Sequence, residues 1–438
     1  MITTVVGRTF LQAYNQKYQC NKTPKQFFEE VYFDLFYNHP KYMQWVTNSP
    51  FVQMKAGQKP ETLDLNERRE KLLNLYEKVE TLEPDASFAL GFPASETKEY
   101  ASTSGLVSDL EIPVTDEDIY LSWIGSGLGI GVAGGFSILF NDSEITLQTF
   151  EGWKVYRKYL ADETLAKLRG NQINTWNGQW LAYSLDPDRF NEEFDFTELS
   201  NAGVFAVDST LAEVNTVKWS ELFFSLSQLY PDKEITGYVY GFGQTNKTIG
   251  FIPFFLKSGK KLIDVYKKLF GNTNTDKRKF EALFGMHIKR ACELGSIGLQ
   301  ALRPDGITKY MQDEKNLSFK KEDEILNYYA YKTWLITMLT KNKEEVTDYT
   351  SKLAQLILKY RNGAKGTERT NLINKELFAA KSKRSFIDAL VTIVKELDGG
   401  DRETVKQLRD DVHLMTNEEF GYFSTLLKFD YAYQEKNS

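Results

Sequence analysis

The sequence predicts an α+β protein: an irregular mixed α/β N-terminal body with antiparallel strands over residues 1–256, followed by a C-terminal antiparallel helical bundle over 257–438. Three observations predict it. Between residues 119 and 256, short runs rich in β-branched and aromatic residues are separated by turn residues. Beyond Lys257 those runs cease, and apolar residues recur at helical spacing in one segment after another. Gly363, Gly366 and the pair Gly399-Gly400 punctuate that series as helix stops would. A chain of 438 residues has the length of two or three domains.

Residues 1–82 read as helical. In TPKQFFEEVYFDLFYNHPKYMQWV, Thr23 is a cap and Pro24 suits a first helical position. Phe27, Phe28, Val31, Tyr32, Leu35 and Phe36 make one apolar face, and His39-Pro40 ends the helix. DLNERREKLLNLYEKVETL (64–82) is a second amphipathic helix with a mixed-charge solvated face. From Glu83 to Asp118 the chain is looser, with three prolines. IYLSWIG (119–125), GFSILF (135–140) and EITLQTF (144–150) read as strands, the last two joined by a turn at Asn141-Asp142-Ser143. EGWKVYRKYLADETLAKLR (151–169) reads as a helix, and AGVFAVD (202–208) and ITGYVYGFG (235–243) as strands. Eight helices are expected afterwards: 258–270, 277–294, 320–341, 344–361, 367–380, 383–398, 401–411 and 416–434.

Composition narrows the function classes. Charge is segregated although the net is only −6. Lys257–Arg290 carries ten Lys/Arg against three Asp/Glu, and Ser351–Leu390 nine against three, which leaves the rest of the chain at −19. Cys20 and Cys292 stand alone, outside any CxxC pattern, so neither a disulfide framework nor a zinc site is expected. No apolar run has membrane-spanning length and the first residues lack a signal-like core, so a cytoplasmic protein is expected.

Six glycines lie between Gly125 and Gly135, and Gly129, Gly131 and Gly134 spell GxGxxG. A dinucleotide site needs that motif to open a helix. Here GFSILF follows, so a tight hairpin or a close backbone approach is expected, and no cofactor. Asp142, Glu144, Glu151 and Lys154 are the nearest approach to a metal-nuclease set, but Glu151-Gly-Trp-Lys154 is one residue too long for carboxylate and lysine to share a strand face. No metal site and no catalytic residue are expected. What remains looks like binding surface. Asn171, Gln172, Asn174, Asn177 and Gln179 surround Trp176; amides beside an indole suit base edges and rings, or else simply make a loop. Gln244, Asn246 and Lys247 lie in a loop that either projects into a groove or is a plain hairpin turn. Lys260, Lys261, Lys267 and Lys268 ring one helix and Lys277, Arg278 and Lys279 start the next, an imbalance that suits phosphate contacts.

With SWIGSGLGIGVAGG (122–135), EGWKVYRKYL, NQINTWNGQW and the closing LMTNEEFGYFSTLLKFDYAY (414–433), the chain resembles the large subunit of type I CRISPR-associated surveillance complexes (Cascade). The paired CxxC motifs of some relatives have no counterpart here. The resemblance implies a non-catalytic subunit that holds guide RNA and reads a short protospacer-adjacent motif on double-stranded DNA. It also implies other Cascade subunits as neighbours and a helicase-nuclease recruited in trans. Gln244, Asn246 and Lys247, or the amides at 171–179, would read the motif, and the basic helices would follow phosphates. The alternatives are a metal-dependent nuclease of restriction type and a protein-interaction scaffold.

Overall fold

The computed structural model describes residues 1–46, 49–55, 57–86, 88–92, 113–241, 247–271, 274–312, 321–340, 349–363, 366–397 and 399–437. The fold is α+β, with many helices and small antiparallel sheets. The chain divides into two compact units, Met1–Phe254 and Phe255–Ser438.

The first unit is organised by a helix crossing. Helix α1 (Ile2–Lys17) and helix α3 (Asp116–Gly127) touch backbone to backbone. A Cβ on Gly7 would lie 2.1 Å from the Leu121 carbonyl oxygen, and one on Gly125 would lie 1.9 Å from that of Thr3. IYLSWIG is therefore helix, not strand. The Thr115 capping box starts it, and its residues from Ile119 onward are buried all round, so no amphipathic period marks it. Between α1 and α3 the run 24–36 is helical, with the Thr23 capping box, Pro24 at its start and a π-helical stretch at Phe28–Tyr32. Helix α2 (Leu65–Thr81) follows from the Asp64 capping box.

The glycine segment then makes a hairpin of β1 (Ile130–Val132) and β2 (Phe136–Phe140), turned by Gly134 and Gly135 at φ +90° and +75°. β3 (Ile235–Gly241) and β4 (Lys247–Phe254) complete an antiparallel sheet in the order β1-β2-β3-β4, with Ile138 opposite Val239 and Tyr238 opposite Phe251. EITLQTF is not a strand either. Asp142 accepts from the backbone N–H groups of Glu144 and Ile145 and launches α4 (Ser143–Ala161), which absorbs that run and most of the expected next helix. Helices α5 (Ile173–Ser184) and α6 (Trp219–Leu229) complete the unit. Its core is aromatic: Trp153 and Trp176 are fully buried, and Tyr156 stacks on Trp176 at 5.1 Å.

The second unit is mostly helical: α7 (Leu256–Phe270), α8 (Asn274–Ala282), α9 (Ile288–Leu294), α10 (Glu322–Leu339), α11 (Tyr349–Arg361), α12 (Lys383–Lys395), α13 (Gly399–Leu414) and α14 (Asn417–Asn437). Strands do not vanish here as expected. Phe284–Met286 pairs antiparallel with Leu302–Pro304 and breaks the helix expected over 277–294. Among the described residues, no helix is long and apolar enough to cross a membrane.

Candidate functional site

The amide cluster is not a surface loop. It forms the first turns of α5, which lies against β1 so closely that a Cβ on Gly178 would come 2.2 Å from the Gly131 carbonyl oxygen. Asn177 is wholly buried and donates through Nδ2 to the carbonyls of Gly127 and Gly129, both at 2.8 Å. Those carbonyls lie where α3 ends, so the amide satisfies acceptors the helix cannot. Trp176, also wholly buried, donates Nε1 to Gly152 O at 2.7 Å, and Gln179 is buried too. These three side chains are out of reach of a nucleic acid, which corrects the expectation for them. Gln172 accepts from the Val214 N–H through Oε1, and Asn174, partly buried, reaches Ser137. Of the set only Asn171 is exposed; its φ is +54°, and its N–H donates to Tyr42 O at 2.6 Å.

Gln244 and Asn246 lie outside the described residues, and Lys247 opens β4 with its side chain likewise outside them. The basic helices divide. Lys260 pairs with Asp264 at 3.1 Å, Lys261 donates to Thr340 O, and Lys277 is buried, with its ammonium 3.9 Å from Glu281. Burial removes Lys277 from the expected phosphate-following set. Lys268, Arg278 and Lys279 are exposed and Lys267 is half-exposed. Tyr266 of α7 stacks on Phe280 of α8 at 4.0 Å, so the two basic segments adjoin. The carboxylates of Asp264 and Glu281 are taken by Lys260 and Lys277. Lys257, Arg278, Lys279 and Lys289 are exposed, with no carboxylate partner among the described residues.

The acidic set is neutralised rather than convergent. Glu151 and Lys154 do share a face, because they sit three apart on a helix and not on a strand. Glu151 also accepts from Lys17 at 2.8 Å and from the Tyr18 hydroxyl at 2.6 Å. Burial alone would raise its pKa; the bonds from Lys154, Lys17 and Tyr18 outweigh burial and lower it. Asp142 and Glu144 both pair with Lys233. No group of three or more His, Cys, Asp or Glu that could hold a metal ion occurs among the described residues.

Sequence reasoning misses a second cationic region in the first unit, because it reads His39-Pro40 only as a helix end. Arg157 of α4 reaches that end, donating Nε to Leu35 O at 2.6 Å and Nη1 to Lys41 O at 3.0 Å. Burial, then Tyr156 and Arg68, act on its guanidinium, whose pKa falls to about 9. His39, Lys41 and Arg157 meet at this turn and carry no joint sequence signal because they come from two separate segments. No protein-family model matches the chain, and neither does any curated protein or solved structure.

Proposed function

We propose that the chain is a non-catalytic nucleic-acid-binding subunit of a CRISPR RNA-guided DNA surveillance complex, of the large-subunit kind. In this reading its second unit follows a phosphate backbone with α7, α8 and α9. The observation that carries the reading is the cationic surplus there: the described carboxylates of these helices, Asp264, Glu281 and Glu293, are already paired, and Lys257, Arg278, Lys279 and Lys289 are exposed with no carboxylate partner among the described residues. Such cations position a polyanion without reading its sequence. Guide RNA and double-stranded DNA are the polyanions proposed. Neighbouring subunits, and a helicase-nuclease recruited in trans, belong to the same proposal, which assigns the chain no bond-breaking step. The order of a mixed α/β unit followed by a helical one agrees with it, and so does the negative remainder of the chain, which suits docking against basic neighbours.

The test is a binding titration with duplex DNA and guide-like RNA across salt. Affinity is expected to fall steeply, and Lys267→Glu combined with Lys279→Glu to weaken binding to every sequence alike. The slope of log affinity against log salt should drop by about one for each phosphate no longer neutralised. A slope unchanged by the double reversal would remove these helices from the interface, and binding insensitive to salt would sink the whole reading.

A further inference from the structure

The chain holds two Asn-Gly dipeptides, Asn177-Gly178 and Asn362-Gly363. An asparagine before glycine is open to attack from its own backbone. The nitrogen of the next residue can reach the side-chain amide carbon, and glycine has no Cβ to obstruct the approach. The fold treats the two dipeptides in opposite ways. Asn177 lies inside α5, wholly buried, with its Nδ2 held by two carbonyls and Gly178 pressed on Gly131. Asn362 and Gly363 are both exposed, just past the last residue of α11.

The Asn362 N–H donates to Leu358 O at 3.0 Å, which ties the residue to the helix end, while the Gly363 N–H makes only a 3.3 Å bond to Tyr360 O. Two arginines flank this turn. Arg361 donates Nε to Asn362 Oδ1 at 3.3 Å. That bond draws electrons from the amide carbon and meets the negative charge that develops on the oxygen under attack. The guanidinium is itself held by Glu435 and, at 2.8 Å, by the Tyr431 hydroxyl, both on α14. On the other side, Arg369 donates Nη1 to Tyr360 O at 2.7 Å and pairs with Glu396 at 2.8 Å. A Cβ on Gly363 would lie 2.5 Å from that Nη1, so a positive charge stands beside the attacking residue and eases loss of its N–H proton. Among the described residues, no hydrogen bond holds Asn362 Nδ2, the group that must leave.

We propose that Asn362-Gly363 is a self-modification site, at which Arg361 assists conversion of the amide to a carboxylate. The Gly363 nitrogen bonds to Asn362 Cγ and gives its proton to water. The Cγ–Nδ2 bond breaks, and Nδ2 takes a proton from water and leaves as ammonia. Water then adds to either carbonyl of the resulting succinimide and opens it, to aspartate or to isoaspartate. No electrons are exchanged, and water is the sole co-reactant. The new carboxylate appears at the C-terminal end of α11, where the helix dipole disfavours it, and competes with Glu435 for Arg361. Conversion therefore loosens the tie between α11 and α14. This site is independent of the polyanion reading and stands or falls separately.

The experiment ages the full chain at neutral pH, folded and in concentrated urea. Peptide mapping by mass spectrometry follows both dipeptides, and released ammonia is assayed in parallel. In the folded protein Asn362 is expected to convert and Asn177 to remain an amide; in urea both should convert at similar rates. Arg361→Gln should slow Asn362 severalfold in the folded protein and leave its rate in urea unchanged, whereas a turn that was merely loosened would react faster. Should Arg361→Gln not fold, Arg361→Lys is read instead; it keeps a charge for Glu435 but lacks the Nε donor, and the same slowing is expected. Asn362→Asp should lower the Tm of the wild-type protein, and lower it less when Glu435→Gln is already present. An Asn362 that stays intact in the folded protein overturns the site. Equal folded-state rates in the wild type and the arginine variant overturn the role of Arg361, and an unchanged Tm in Asn362→Asp overturns the loosening.

Discussion

Lys332 and Asp430 show what one buried pair does inside a helical unit. The ammonium sits 2.9 Å from the Asp430 carboxylate and 2.8 Å from the Ser351 hydroxyl, while Tyr328 donates to the same carboxylate oxygen at 2.7 Å. Burial raises the Asp430 pKa, and Lys332 only partly offsets that. Removing one partner strands the other, so Lys332→Met is expected to cost roughly 3–5 kcal/mol, and Lys332→Met with Asp430→Leu much less; chemical denaturation of the four proteins of this cycle measures it. Asn177→Ala leaves two carbonyls unpaired and should cost about 1–3 kcal/mol while leaving preference among nucleic-acid sequences unchanged. A change in that preference would return Asn177 to the interface. Glu151 offers a pH readout. Its pKa lies below its ordinary 4.5 in the folded chain, so its contribution is complete above that value and fades as pH falls through the lower one. The Tm gap between wild type and Glu151→Gln, ~1 kcal/mol in equivalent stability for a partly buried group paired with water-accessible lysines, should therefore close on acidification from about pH 6 to about pH 3.

At the scale of elements, glycine acts in two ways that substitution separates. Gly125→Ala drives a methyl into a backbone carbonyl at the crossing of α1 and α3, where nothing flexible can yield. Overpacking of that kind costs about 1–3 kcal/mol or more, and loss of soluble folded protein is the expected result. Gly135 meets nothing within 4 Å, so Gly135→Ala brings only the left-handed backbone cost of about 1–2 kcal/mol. Equal losses of Tm at the two positions would refute this division. The same contrast explains what is legible in the sequence. Elements with caps and an amphipathic period, such as α2 with its Asp64 box, read correctly because local and tertiary signals agree. α3 and the first turns of α4 read as strands because dense β-branched and aromatic residues reflect burial on every side as much as pleating. The amides are legible as unusual but not as buried: nothing local says that Asn177 answers carbonyls some fifty residues earlier. Lys277 misleads similarly, since charge alone does not tell which side of a helix a lysine occupies.

For the whole molecule, the distribution of charge and burial matters more than net charge. Seen from its sequence, the chain spreads rings and cations along its length; folded, it sends the rings of Trp123, Trp153, Trp176 and Trp180 inward and leaves Trp45 at the surface. The Lys332–Asp430 pair also bears on synthesis. Its partners lie 98 residues apart, and the acid belongs to α14. On a translating ribosome the Lys332 ammonium thus lacks its carboxylate, and keeps only partners such as the Ser351 hydroxyl, until α14 emerges. The first unit has all its strands and helices by Phe254 and is free to set well beforehand.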